Sequence, residues 1–239
     1  MKIGVISDIH GNLEALKAVL MELDDVERLV CLGDIVGYGP DPEPCVEIIR
    51  EKADIVVAGN HDWGAIGKTS IDGFNPVAYA AILWTSDHLS EDSRNYLASL
   101  PLEHREGKYT FVHSSFSVPE KWFYILGPGD AEKEFLYLKT MAGFVGHSHV
   151  PGIFMKSGAR VKTLFGSIVE MDDGSQFIIN CGSVGQPRDG NPDATACILD
   201  TGSNEVRIIR VPYDAEKTRR KIVASGLPEV LGDRLLIGR

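Results

Sequence analysis

Five segments of this 239-residue chain end in residues able to hold a metal ion. Asp8 and His10 follow the apolar run Ile3 to Ser7, and Asp34 follows Arg28 to Leu32. Asn60 and His61 follow Ile55 to Ala58, His113 follows Tyr109 to Val112, and His147 and His149 follow Gly143 to Val145. Five of the seven histidines therefore stand at the ends of apolar runs. One such histidine would ordinarily be a structural residue. Five, joined by two aspartates and an asparagine, have no comparable structural explanation, because buried carboxylates and imidazoles cost free energy unless something charged gathers them. Asp8/His10 and His147/His149 share an i, i+2 spacing, which on an extended strand puts two side chains on one face. Carboxylate oxygen mixed with imidazole nitrogen, without thiolate, suits Mn, Fe, Zn, Ni or Co rather than Ca or Cu(I). Even with His61 set aside, the remaining seven exceed one tetrahedral site and suit two metal ions if one carboxylate is shared. His88 and His104, at a helix end and in a loop, read as ordinary surface histidines.

The runs that carry these residues alternate with amphipathic segments. Asn12 can cap a helix whose Leu13, Leu16, Val19, Leu20 and Leu23 keep helical spacing. The Gly/Pro-rich loop Gly37 to Pro42 leads to a second helix marked by Cys45, Val46 and Ile49. Three strand–helix alternations in about sixty residues predict a parallel βαβαβ sheet with right-handed crossovers. Such sheets place their sites beyond the carboxyl ends of the strands. Gly64 to Leu100 reads as helical, with Ser90 capping Glu91 to Leu100. Pro119 to Gly129, rich in aromatics, glycine and proline, reads as a loop near the site, and Asp130 to Met141 as a helix with Phe135 and Leu138 inward. Beyond it, Gly152 to Lys156, Arg160 to Phe165, Ser167 to Met171, Phe177 to Asn180, Thr195 to Asp200 and Glu205 to Val211 read as short strands. They predict an antiparallel second sheet packed on the first, a two-sheet sandwich with helices outside. Asp214 to Ser225 reads as a basic amphipathic helix and the tail to Arg239 as a surface wrap. With no internal repeat, low-complexity segment or linker, residues 1–239 read as one domain.

Composition narrows the partners. An apolar share of 44% is enough for a substantial core. A net charge of −10 and a pI of about 5.2 argue against broad binding to nucleic acid or anionic membrane, since a polyanion meets net repulsion. A local cationic centre can still take a small phosphate-bearing substrate. The four cysteines form no CxxC pair, and Cys31, Cys181 and Cys197 read as small buried hydrophobes. No stretch resembles a signal peptide or approaches the roughly 20 apolar residues of a membrane helix, so the cytoplasm is the expected location.

In order, Asp8-x-His10, Gly33-Asp34, Gly59-Asn60-His61-Asp62, His113 and Gly146-His147-x-His149 resemble the five motifs of the calcineurin-like metallophosphoesterases. The stretch Asn180 to Arg188 is similar to that of the family's small bacterial and archaeal enzymes. The resemblance implies an α/β fold (an α+β sandwich) of two facing mixed β-sheets flanked by helices, in four layers. It implies two divalent metal ions, one on Asp8, His10, Asp34 and His149 and the other on Asp34, Asn60, His113 and His147, with Asp34 as the bridge. It also implies hydrolysis of phosphate mono- or diesters by a metal-bridging hydroxide. Two such cations, less two carboxylates and a hydroxide, leave a centre of about +1 that attracts phosphate. His61 neighbours a ligand without matching a ligand position, and is the expected general acid for the leaving alkoxide.

Departures from the family pattern bear on the substrate. In the Ser/Thr protein-phosphatase branch the Gly-Asp motif continues with an aspartate and an arginine that serve catalysis and phosphate binding. Here Gly37 and Tyr38 stand in those places, and Asp62 replaces the usual glutamate after the catalytic histidine. A protein-phosphatase reading is weakened, and Asp62 is kept as a catalytic-site residue that orients a neighbour by hydrogen bonding. Arg188 becomes the candidate phosphate clamp, since guanidinium matches phosphate oxygens bidentately. Gly11 and Asn12, opening the first helix, are candidate donors to the same phosphate. Trp63, Trp122, Phe123 and Tyr124 either wall a pocket or simply pack. The alternatives are a nucleotide or dinucleoside polyphosphate hydrolase, a protein phosphatase, or a non-enzymatic scaffold of the same fold. Such scaffolds usually lack a ligand or the acid histidine, whereas every position is filled here. Metal identity, mono- against diester preference and oligomeric state stay open.

Overall fold

Each apolar run becomes a strand because both of its faces find a packed layer. The computed structural model describes all 239 residues, Met1–Arg239. Its first part runs β1 (Lys2–Ile6), α1 (Leu13–Glu22), β2 (Arg28–Cys31), α2 (Pro42–Lys52), β3 (Ile55–Val56), α3 (Asn60–Ala65), α4 (Pro76–Asp87) and α5 (Glu91–Ser99). There follow β4 (Glu103–Glu106), β5 (Tyr109–Val112), α6 (Pro128–Glu134), β6 (Ala142–Val145), β7 (Gly152–Ser157), β8 (Arg160–Leu164), β9 (Ile168–Glu170) and β10 (Gln176–Asn180). The chain closes with β11 (Ala194–Asp200), β12 (Glu205–Val211), α7 (Ala215–Ala224) and α8 (Val230–Asp233), with a last 3-10 turn at Arg234–Leu236.

Two six-stranded mixed sheets result, in the orders β3-β2-β1-β11-β12-β9 and β4-β5-β6-β10-β7-β8. Strands β1, β2 and β3 are parallel, as the alternation predicts, and so are β5, β6 and β10. Alternate side chains divide between layers with the period of two that strands impose. From β1 and β2, Ile3, Val5 and Val30 meet Phe111, Phe144 and Phe177 of the other sheet in the core between the sheets. Ile6 and Cys31 point the other way, onto Leu16, Val19, Val46 and Ile49 of the flanking helices. On the outside of the second sheet, Val112, Val145 and Ile178 pack on Phe116, Phe135 and Leu138. Burial on both faces is what makes these strands continuously apolar. All four cysteines are buried and free.

Several expectations need correction. The late strands do not form an antiparallel sheet of their own. Strands β9, β11 and β12 extend the first sheet, because the free edge of β1 is closed by β11, Ile3 lying opposite Leu199. Strands β7, β8 and β10 instead join β4, β5 and β6. The helix expected over Asp130 to Met141 stops at Glu134, where the ladder tightens to i→i+3 bonds, Leu136 N to Lys133 O and Tyr137 N to Glu134 O. The later carbonyls of Leu138 and Thr140 accept from Gln176 Nε2 at 3.0 Å. Phe135 and Leu138 still face inward. Helix α3 starts at Asn60 rather than Gly64, and residues 66–75 form a loop before Asn75 caps α4 through Val77 N and Ala78 N. Strand β4 (EHRE) had no apolar face to betray it; it is an edge strand. The tail is more than a surface wrap: Leu227, Leu231 and Leu235 are buried with Tyr38, Ala78, Ala81 and Ile222. No helix is long and apolar enough to cross a membrane.

Candidate metal centre

The ends of β1, β2 and β3 in one sheet and of β5 and β6 in the other converge on one buried cluster. Asp8, His10, Asp34, His113 and His149 are at most 2% exposed, and Asn60, His61 and His147 are 5–6% exposed. The i, i+2 pairs converge by a different route from the one expected. Asp8 and His10 lie past the end of β1 with φ of 54° and 49°, and His147 and His149 lie past β6 with φ of 64° and 60°. Asp34 shares the left-handed conformation, at φ 51°. That conformation costs a residue bearing a Cβ about 1–2 kcal/mol, and its repetition at five positions in one cluster marks a functional constraint.

Backbone carbonyls orient three of the rings. His10 Nδ1 lies 3.1 Å from Val36 O, His113 Nδ1 2.9 Å from Leu32 O, and His149 Nδ1 2.6 Å from Gln186 O. A carbonyl only accepts, so each Nδ1 carries the proton and each Nε2 offers a lone pair inward. The Nε2 atoms of His10 and His149 are 3.0 Å apart, and in this tautomer neither can donate to the other. Asp8 Oδ1, 3.2 Å from His149 Nε2, has no hydrogen-bond partner, while its Oδ2 accepts from His147 N. In the other half, His113 Nε2 is 3.2 Å from both Asn60 Oδ1 and His147 Nδ1. Asp34 Oδ2 stands between the halves, 3.6 Å from His10 Nε2 and 3.3 Å from His113 Nε2. Three sets of side chains are close enough to share an ion: Asp8, His10 and His149; Asp34, His113 and His147; and His10, Asp34 and His61. Inward lone pairs, an unpartnered carboxylate oxygen and oxygen/nitrogen donors fit divalent cations.

The electrostatics agree. Burial alone would raise Asp8, but His149 and His10 hold its carboxyl well below the usual range. Burial likewise opposes ionisation of Asp34, and His113 and His61 outweigh it. Burial lowers His147 to about 3, helped by His113, and His149 to about 4, helped by Arg188. Ionised aspartates beside neutral imidazoles are the protonation states that metal binding requires. His113 differs: burial pulls it down, but Asp34 lifts it to about 9.

The surrounding loops are pinned to this cluster. Ser183 Oγ donates to Asp8 O at 2.8 Å and Gly185 N to the same oxygen at 2.9 Å. Asn180 Nδ2 donates to Gly146 O and to Ser148 Oγ, fixing the turn that carries His147 and His149. A Cβ on Gly146 would overlap Ser7 Oγ and Asp8 Oδ2, so the two sheet ends approach closely only because Gly stands there.

Asp62 orients its neighbours as expected, though from outside the cleft, and the expected role of Asn12 changes. Asp62 does not touch the cleft: it is 0% exposed, and both its oxygens are occupied by backbone. Its Oδ2 accepts from Asp34 N and Gly59 N, and its Oδ1 from Ile35 N and Val36 N. Burial and the Asp34 carboxylate push Asp62 up to about 7 against the pull of those N–H donors. It is a positioning residue. Nor is Asn12 free for a phosphate. Its Nδ2 donates to Gly185 O, and its Oδ1 accepts from Ala15 N and Thr218 Oγ1. The backbone N–H groups of Gly11 and Asn12 are also engaged, with Ile35 O and Ile9 O.

A cleft of about 280 Å³ opens on the cluster beside Asn60, His61 and His147. Tyr38, Phe74, Trp122 and Tyr124 wall it, with Tyr124 stacked on His147 at 4.0 Å. Trp63 packs edge-on against Trp122 behind this wall, and Phe123 faces outward. His61 Nδ1 is enclosed and unpartnered against Gly37, where a Cβ would overlap it. Its ring contacts His10, Tyr38 and Phe74 at centroid distances of 4.5–5.0 Å. Arg188 reaches the rim, with its guanidinium 5.6 Å from the Tyr38 ring. Beside it stands Arg234, absent from the sequence reading; the i, i+4 spacing of Leu227, Leu231 and Leu235 is the signal that the tail docks here.

Comparison with known proteins gives four findings. The profile of the calcineurin-like phosphoesterase superfamily domain matches residues 1–204. An uncharacterised protein of Methanocaldococcus jannaschii is 44% identical over 99% of this chain and 98% of its own length. A symmetrical bis(5'-nucleosyl)-tetraphosphatase of Methylococcus capsulatus is 33% identical over 51% of this chain and 45% of its own. Among solved structures, a metallophosphoesterase from Sphaerobacter thermophilus superposes with a TM-score of 0.90 at 42% identity, covering 100% of this chain and 99% of that one.

Proposed function

This chain belongs to the calcineurin-like phosphoesterase superfamily, and from that premise we propose that it hydrolyses phosphate mono- or diesters at a centre of two divalent metal ions. The observation that carries the reading is the facing pair of Nε2 lone pairs of His10 and His149, 3.0 Å apart beside the unpartnered Asp8 Oδ1. Lone pairs so placed repel unless a cation lies between them. Asp8, His10, Asp34 and His149 would hold one ion, and Asp34, Asn60, His113 and His147 the other. Bound there, the ions supply Lewis-acid polarisation of the phosphoryl group and a water acidified enough to attack near neutral pH.

The chain's own residues do the rest. His61 lines the cleft with Nδ1 enclosed, so Nε2 is the nitrogen that reaches a bound ester. Burial, with His10 and His149, holds His61 well below the ordinary imidazole value despite Asp34. An incoming phosphate dianion offsets that depression, and Nε2–H can then protonate the leaving oxygen. Arg188 supplies a guanidinium fork at the rim for non-bridging phosphate oxygens. The aromatic walls exclude water and favour a flat leaving group. A nucleotide or dinucleoside polyphosphate is the second reading, favoured by those walls and by the tetraphosphatase relative.

The test is elemental analysis of the purified protein together with turnover of p-nitrophenyl phosphate and bis(p-nitrophenyl) phosphate. About two metal equivalents per chain are expected, and His61→Ala should keep them while losing turnover by a factor on the order of 10². Absence of metal, with no activity after Mn²⁺ is added, would instead favour the non-enzymatic scaffold. Unchanged turnover in His61→Ala removes that residue from the reaction.

A further inference from the structure

Two guanidinium groups converge at the edge of the candidate centre without a carboxylate between them. Arg188 Nη2 donates to Gln186 Oε1 at 2.8 Å, and Arg234 Nη1 approaches the same oxygen at 3.3 Å. One neutral amide oxygen thus serves two cations, and neither arginine has an ion pair. In a chain with 34 acidic residues against 24 lysines and arginines, that is unusual enough to need a cause. The neighbouring carboxylates are drawn away. Asp189, next to Arg188, pairs with Arg210, and Asp233, next to Arg234, pairs with Arg219 at 2.7 Å. Both arginines are half-buried, so their mutual repulsion is only partly screened. Burial and Arg188 together lower Arg234 below its ordinary value.

Placement connects the pair to the centre. Arg188 N donates to His149 O at 3.2 Å, and the Arg188 guanidinium covers the Tyr38 ring. That ring in turn lies 4.7 Å from His10 and 4.5 Å from His61. Arg234 is held there by the buried Leu231 and Leu235, which flank it in sequence and pack with Tyr38. It lies beyond residues 1–204 of the family match, on the C-terminal tail.

We propose that Arg188 and Arg234 form a second anion subsite, which takes the outer phosphate of a substrate with two phosphates in succession, a nucleoside diphosphate or a longer phosphoanhydride chain. The inner phosphate lies over the candidate metal centre and the outer one between the two forks, where it replaces the shared amide oxygen. Each guanidinium offers two parallel N–H donors to such a group. This rests on the phosphoester-hydrolase reading of the neighbouring centre.

The test compares wild-type protein and Arg234→Gln, both loaded with Mn²⁺. Calorimetry measures the Kd of methylenediphosphonate and of methylphosphonate, and kinetics measures kcat/KM for a nucleoside diphosphate and for p-nitrophenyl phosphate. In Arg234→Gln, the diphosphonate and the diphosphate substrate should lose on the order of 10- to 100-fold, at least tenfold more than their one-phosphate counterparts. Equal losses on both classes overturn the subsite, and so does a wild-type protein that binds the two phosphonates alike. If Arg234→Gln melts far below wild type, Arg234→Met is read by the same criterion. A diphosphonate preference that depends on Arg234, in a protein that hydrolyses no phosphoester, leaves the subsite standing and overturns the hydrolase reading instead.

Discussion

Replacing Asp62 by Asn changes one atom and tests whether this buried carboxylate is the clamp of the centre. The carboxylate accepts four backbone N–H groups, from Asp34, Gly59, Ile35 and Val36, at 2.8–3.2 Å. An amide accepts only at its oxygen, so two N–H donors would face an NH₂ group and lose their acceptor. Hydrogen bonds to a charged group contribute about 1.5–3 kcal/mol each, so two amount to about 3–6 kcal/mol. Removing the charge also relieves the repulsion from Asp34 that pushes Asp62 up. A net loss of about 3 kcal/mol follows, which in a domain of this size lowers Tm by about 6–12 °C. Melting in EDTA isolates this structural cost, and elemental analysis after purification reads its effect on the Asp34 loop, where metal content should fall. A variant that melts within about 2 °C of wild type and keeps its metal would refute the clamp, since the lost hydrogen bonds must then be worth almost nothing.

Gly37→Ala places a Cβ on His61 Nδ1 and a side chain at φ 94°. Turnover of p-nitrophenyl phosphate should drop on the order of 10², like His61→Ala, with metal content preserved; near-normal turnover counts against a role for His61. Glu14 ties α1 to α7 through Lys217 and Lys221, each at 3.2 Å, and despite burial those lysines hold it below its ordinary value of 4.5. Its contribution is therefore complete above that value and is lost as pH falls through the lower, folded one. Glu14→Gln should cost up to about 1 kcal/mol at pH 7 by urea titration, and the gap to wild type should close on acidification; a gap that widens in acid reverses the sign and sinks the argument. Added Mn²⁺ should raise Tm, since a ligand at about 100 times its Kd stabilises by about 2.7 kcal/mol. No shift at millimolar Mn²⁺ would leave the facing lone pairs of His10 and His149 unexplained.

That the candidate ligand side chains gather in one cluster was legible because each follows an apolar run, and strand ends are read reliably from such runs. Legibility failed where a residue's role depends on distant backbone. Asp62 looked like a catalytic neighbour of His61, but nothing local shows that the amides of Asp34, Ile35 and Val36 would fold onto it. Asn12 looked like a donor at a helix start, whereas Gly185 and Thr218, far along the chain, consume its side chain. The i, i+2 spacing was right and its geometry wrong, because left-handed φ values leave little trace in residue type when the residue must be Asp or His. Sheet membership was the other failure. Short strands announce themselves by composition, yet which edge they join is settled by what is left open, here β1 for β11. Arg234 was missed because Pro228, a helix-breaking signal, interrupts the Leu227, Leu231 and Leu235 spacing that docks its segment.

The pairing of Ile3 with Leu199 has a consequence for how the protein is made. The first strand leaves the ribosome long before its partner β11 exists, so one edge of the nascent β1–β3 unit stays open until nearly the whole chain has emerged. His113, His147 and His149 arrive later than Asp8, His10 and Asp34, and the loop that pins Asp8 O comes later still. On the proposed two-metal reading, ion capture is a closing event of biosynthesis, and an ion bound earlier by the N-terminal third would have only part of its proposed ligands. Long-range pairing of this kind also slows folding. A truncated chain ending before β11 would expose the edge of β1, which is the natural place for it to aggregate.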